Sequence, residues 1–247
     1  MKKTFWLIIL LIYPLFVSDT LAGDFAKLNF IGFSLDGKYL AFEEYGTQDG
    51  SGFPYSNVFI IDVVKNSYAA PSVTKRIDDE SASEETVRAM TKKLSAANLR
   101  KFKIVAGNTG NLVVARLLTD LDAEEMGSGG ENKDQTVRFV EERSSNYAGN
   151  NYELVLKTSS VKLKRCDYDT DNPILKLQLG LKHEGDSPME KILQTDTTVP
   201  ENRGCPNDYS IQNVYLYKNN IAVFVNIYTM GFEGPDMRYL VVTGNYK

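Results

Sequence analysis

The sequence predicts a mainly β protein, with antiparallel meanders forming a partial propeller-like stack or a β-sandwich and one α-helix near residues 82–100. Two observations carry this reading. From Leu28 onward, short apolar or alternating runs rich in Val, Ile, Tyr and Phe recur between Gly, Asn and Asp, the pattern of half-buried strands joined by turns. Both ends of the chain also follow one order of strand, tight turn, strand, longer loop, strand, as two copies of one supersecondary unit would.

Taken in order, "KLNFIGFS", Asp36-Gly37 and "KYLAFEEYG" read as a hairpin, because Asp-Gly between alternating apolar runs is a strong turn signal. A turn-rich passage of about ten residues follows, within "EEYGTQDGSGFPYSNVFIIDV", before the strand "NVFIIDV". Ser81 and Glu84 form a capping box ahead of Val87, Met90, Leu94 and Ala97, which share one helical face, so the helix is expected to cover an edge or end of the β structure. Strands are expected at "NLVVARLLTD", "TVRFVEE", "NYELVLKTSS" and "ILKLQLGLKH", with "GSGGENKD" as an exposed loop. The run "VKLKR" alternates apolar and basic residues and reads as an exposed strand face rather than a binding patch. Last come "NVYLYK", a turn at Asn219-Asn220, "IAVFVNIYT", the loop "MGFEGPDMR" and "YLVVTG".

The first 22 residues have the layout of a secretory signal peptide: Lys2 and Lys3, an apolar run from Phe5 to Val17, then Thr20 and Ala22 before Gly23. Thirteen apolar residues interrupted by Pro14 fall short of the roughly 20 that span a bilayer, so cleavage after Ala22 is expected. No Cys adjoins that point to carry a lipid. Residues 23–247 then form a single mainly-β domain, periplasmic or secreted. That mature part carries 26 of the 28 Lys and Arg and 31 of the 32 Asp and Glu, a net charge of −5. A mildly acidic chain has no general attraction for nucleic acid or an anionic membrane. Cys166 and Cys205 are the only cysteines, and in an oxidising compartment they read as one disulfide.

The stretch "FIGFSLDGKYLAFEEYG" with "NVFIIDV" resembles the propeller repeat of Tol-system and related periplasmic proteins, although Leu35 stands where that repeat has proline. A closed propeller needs at least about four such blades. "FEEYG-QDGSGFPYSN", "LLTDLD", "GCP" with Cys166, and "GFEGPD-R" resemble a family of predicted secreted bacterial proteins of unknown function. That resemblance implies export and a shared architecture, and no activity.

Motifs that carry chemistry are scarce. His183 is the only histidine, so every Ser-His or Cys-His scheme would run through it, and its place at a strand end in "LKHEGDSP" reads as incidental. No nucleophile elbow, phosphate-binding glycine loop or zinc cluster occurs, and no cofactor or metal is expected. Asp167, Asp169 and Asp171 alternate as at the start of a calcium loop. Asn172 stands where that loop needs glycine and Gln178 where it needs glutamate, so a solvated acidic turn is expected. Glu43 and Glu44 point to opposite faces of their strand, and Glu44, in phase with Leu40 and Phe42, is expected at an exposed strand end.

The working surface is expected at the two turn-rich loops, residues 47–57 and 230–238. Phe53, Tyr55 and Phe232 offer rigid contact area there, Phe53 and Phe232 reading alternatively as plugs over the core ends, and Asp49, Glu233 and Arg238 offer directed polar contacts. The function this suggests is a non-catalytic binding or scaffold module whose partner is an envelope protein or a glycan. The alternative is a carbohydrate-active hydrolase using the loop carboxylates.

Overall fold

The computed structural model describes residues 23–118, 134–141, 150–166, 173–184, 189–231 and 234–247. The first sheet contains β1 (Lys27–Phe33), β2 (Tyr39–Thr47), β3 (Pro54–Asp62), β4 (Ser67–Tyr68) and β5 (Val73–Arg76), with β4 and β5 both paired to the far edge of β3. The helix α1 (Glu84–Lys101) follows, and then β6 (Asn111–Ala115), which joins a sheet completed at the C-terminal end. The second sheet is a meander of β7 (Gln135–Glu141), β8 (Asn150–Ser160), β9 (Leu175–His183) and β10 (Lys191–Thr195). The third runs β6, β11 (Pro206–Tyr217), β12 (Asn220–Met230) and β13 (Pro235–Asn245). All pairings between these strands are antiparallel.

The third sheet is the middle layer, and β12 shows why. Strand side chains alternate between faces. Ile221, Val223, Val225 and Ile227 join one apolar cluster with Leu154, Leu177 and Leu179 of the second sheet. Ala222, Phe224 and Tyr228 join another with Leu40, Phe42 and Ile61 of the first. Covered on both sides, residues 221–228 are all buried, and their sequence is apolar nearly without a break. Three sheets stacked in this way close into neither a propeller nor a barrel, so the propeller reading is not upheld, while the stack of antiparallel meanders is.

The expected hairpin turn forms: Gly37 takes the left-handed conformation (φ 77°), and Asp36 accepts from the Ser34 hydroxyl and the Lys38 N–H. The two long loops are shorter than expected. Thr47 pairs with Pro54, which leaves residues 48–53 outside the ladder of the first loop, and Met230 pairs with Pro235, so the strands flanking the second reach those residues. Both prolines are the first residue of a strand, where a missing N–H is tolerated, so the turn-like composition had concealed strand ends. The tight turn before β12 lies at Lys218-Asn219 rather than Asn219-Asn220, since Tyr217 pairs directly with Asn220.

The helix begins two residues later than expected. Ser83, not Ser81, is the N-cap and accepts from the Thr86 N–H. It covers the outer face of the first sheet, against β3, β5 and β2, rather than an edge. Its buried residues are Val87, Thr91 and Ser95, while Met90 and Leu94 are exposed. The helix is turned so that Arg88 reaches Glu43, which presents both carboxylate oxygens to it at 3.0 and 2.9 Å, and the guanidinium lies 3.7 Å over the Tyr45 ring. The small Thr and Ser side chains allow close approach to the sheet.

Cys166 and Cys205 form a disulfide with a Cα–Cα distance of 5.8 Å, packed with Ile174 and Val199. "VKLKR" is not a strand. Val161 and Leu163 pack on this small cluster, residues Lys164–Cys166 form a single 3-10 turn, and Arg165 donates to the Val199 carbonyl, because the chain must bend there to bring Cys166 to its partner.

Candidate functional site

β13 is an edge strand of the middle sheet, and an unprotected edge invites pairing with other chains. Here the edge is occupied. Residues 23–26 run beside it: the Met237 N–H donates to the Asp24 carbonyl, and the Ala26 N–H donates to the Met237 carbonyl. Next along the strand, the Tyr239 N–H donates to Oε2 of Glu44 at 3.1 Å, and the Thr243 N–H donates to Oδ1 of Asn66 at 2.8 Å.

Glu44 is therefore not an exposed strand end; it is 5 % exposed. Its burial is possible because Asn57, directly opposite on β3, donates to Oε1 at 3.0 Å, while the edge N–H of Tyr239 satisfies Oε2. Burial raises the Glu44 carboxyl above the ordinary range, and the bonds from Tyr239 and Asn57 offset this only in part. Glu43, on the opposite face, has the reverse outcome. Burial also acts to raise it, but hydrogen bonds from Arg88, Asn29 and Ser56 prevail and hold it below the ordinary value.

The loop residues singled out from the sequence fall in different settings. Tyr55 and Arg238 come together: the guanidinium lies 4.8 Å over the Tyr55 ring, and both side chains bond the Asp24 carboxylate. Tyr55 is buried, and its burial in this cluster pushes the hydroxyl pKa well up. Phe53 is half-buried, with the Arg76 guanidinium 5.9 Å over its ring. Asp49 is exposed and accepts from the N–H of Gly50 within its own turn. Phe232 and Glu233 lie outside the described residues, as do Asp167, Asp169 and Asp171.

Along the β13 edge, between the first sheet and the turn Glu201–Arg203, three cavities adjoin. A central one of about 820 Å³ is bounded by Glu44, Asn57, Phe59, Tyr68, Arg203 and Leu240, with the small residues 69–72 forming one wall. Asn57, Thr74 and Arg238 also border an outer cavity of about 530 Å³ that reaches Gln48 and Tyr55. Tyr68, Asn202, Arg203 and Leu240 also border a third of about 340 Å³ that reaches Asn66 and Val241. The shared residues make the three one trough. Within it, Oδ1 of Asn57 is buried without a hydrogen-bond partner. The arginines at its walls are paired: Arg203 with Asp196, Arg238 with Asp24, and Arg76 with Asp78.

Asn57, Tyr68, Asn202 and Arg203 were not picked out from the sequence. Asn57 did leave a signal, since it occupies the inward phase of a strand with Tyr55, Phe59 and Ile61, as Glu44 does beside Leu40 and Phe42. Two polar residues in register on inward faces mark a place where two sheets do not close. His183 stands in the second sheet, exposed, with Nδ1 2.9 Å from the Glu190 carboxylate, and does not border the trough. Among the described residues, no group of three or more His, Cys, Asp or Glu side chains is placed to hold a metal ion.

Three stacked antiparallel sheets with a trough along one sheet edge define the class, a layered β protein, and its one disulfide is consistent with an extracytoplasmic location. The chain belongs to the family of predicted secreted proteins designated DUF2259, whose model matches residues 41–245. Comparison with curated proteins found no match.

Proposed function

We propose that the protein is a non-catalytic binding module of the cell envelope, acting in the periplasm or after secretion, and that its ligand lies in the trough along β13. This moves the working surface inward from the loop tips: Tyr55 and Arg238 form the outer end of the site and Asn57 its middle. The observation that supports it is the continuity of the three cavities through shared polar residues, a shape suited to an extended ligand.

The hydrolase reading has less support. A general acid or base must reach the ligand. Asp49 is bonded into its own turn, Asp24 is held by Arg238 and Tyr55, and Glu44 is held by Asn57 and Tyr239. The test is a thermal-shift comparison of the mature protein with an Ala70→Trp variant, whose indole would occupy the central cavity, using soluble neutral and acidic oligosaccharides and short peptides. A ligand that raises the wild-type Tm should leave the variant's Tm unchanged and be recovered intact. An equal shift in both proteins, or recovery of cleaved ligand, would overturn the proposal.

A further inference from the structure

Resting on that reading of the trough, we infer that its ligand is a neutral, hydroxyl-rich glycan chain. Three observations converge. The first is charge: the three arginines bordering the trough each have a carboxylate partner, so none is left as a cation for a phosphate, sulfate or carboxylate ligand. The second is the state of the β13 edge. A peptide that adds to a sheet needs a run of outward N–H groups along the edge strand, and those of Met237, Tyr239 and Thr243 are already bonded to Asp24, Glu44 and Asn66, which leaves Val241 alone between them. A continuous strand ladder is therefore blocked, and recognition falls mainly to side chains.

The third is the kind of side chain present. Tyr68 is 49 % exposed, and its ring lies 5.9 Å from that of Phe59, giving an apolar platform in the trough. Around it stand the buried acceptor Oδ1 of Asn57, which lacks a donor, and the exposed residues Thr74 and Asn202, the Asn202 amide donating to the Tyr68 hydroxyl at 3.3 Å. A buried acceptor without a partner is rare and asks for a donor. A pyranose has an apolar face that lies on an aromatic ring and a rim of hydroxyls that both donate and accept, which matches this arrangement. A cavity of about 820 Å³ falls within the ordinary range for ligand sites, and the adjoining cavities extend it for a chain of several sugars.

The experiment is isothermal titration of the mature, disulfide-bonded protein with maltohexaose, cellohexaose, chitohexaose, a hexuronate and an extended nonapeptide. At least one neutral hexasaccharide should bind, with little dependence on salt. Tyr68→Ala and Asn57→Ala should each weaken it about tenfold, near the upper end of what one lost hydrogen bond or packing contact costs. Tyr68→Phe, which keeps the ring, should retain binding, and Ala70→Trp should abolish it. Tyr68 is exposed enough that its variants test the site without testing the fold. Binding of the hexuronate or the nonapeptide alone, lost in Ala70→Trp, would overturn the glycan inference and leave the trough standing. Binding that survives Ala70→Trp would overturn the trough itself, and no binding by any probe would count against both.

Discussion

At the scale of single residues, Glu43 and Glu44 show how neighbours with one chemistry reach opposite states. Both are buried, yet Glu43 faces a guanidinium while Glu44 has only an amide and a backbone N–H. The signs of their pH effects therefore differ. The folded pKa of Glu44 lies above the ordinary 4.5, so stability is lost as pH rises from that value through the raised pKa, and the cost of the buried charge is complete above it. Glu44→Gln should match the wild-type Tm near about pH 4 and exceed it increasingly toward about pH 8. Glu43, with a lowered pKa, adds stability above 4.5 that disappears as pH falls through its folded value. Glu43→Gln should accordingly lower Tm at neutral pH, with the deficit closing under acid. Thermal melts across pH check both, and deviations of the same sign from the two variants would refute the assignment. Strand alternation revealed that the two carboxylates face opposite ways. It could not reveal their partners, because Arg88 lies 45 residues from Glu43 and Tyr239 lies 195 from Glu44.

At the scale of elements, the helix shows where periodicity misleads. The apolar spacing of Val87, Met90, Leu94 and Ala97 pointed to a conventional core face, but a charged contact to Glu43 turns the helix toward Thr91 and Ser95. Arg88→Ala should cost about 1.5–3 kcal/mol in urea denaturation, the usual range for hydrogen bonds to a charged group left partly unsatisfied. Leu94→Ala, at an exposed position, should change stability by less than about 0.5 kcal/mol. A larger loss at Leu94 than at Arg88 would show that the apolar stripe holds the helix after all. The strands were more legible, because β2, β3, β8, β9, β12 and β13 have long alternating or continuous apolar runs. β4, β5 and β10 were missed, being short and half-exposed, and paired by backbone bonds that leave little trace in composition.

At the scale of the whole molecule, the stack depends on a middle sheet buried on both faces and on a disulfide that ties residues 39 positions apart. The mature protein should begin at Gly23 and show no alkylatable thiol until reduced, which intact mass with and without reductant will report. Reduction should lower stability by about 2–4 kcal/mol, the usual contribution of such a crosslink. The number of layers was legible only as a repeated meander, since which sheet lies in the middle depends on contacts between distant segments. The trough was legible only as two polar residues, Glu44 and Asn57, at inward-facing positions of their strands. The account's central claim, that the trough along β13 is the binding site, is tested most directly by mapping amide chemical shifts of the ¹⁵N-labelled mature protein during titration with maltohexaose, cellohexaose and chitohexaose. The account predicts that the hexasaccharide that binds moves the signals of Asn57, Tyr68, Asn202 and Leu240 and leaves those of α1 and β8 in place. Shifts confined to the turn at residues 48–53, to the helix or to the second sheet would contradict it.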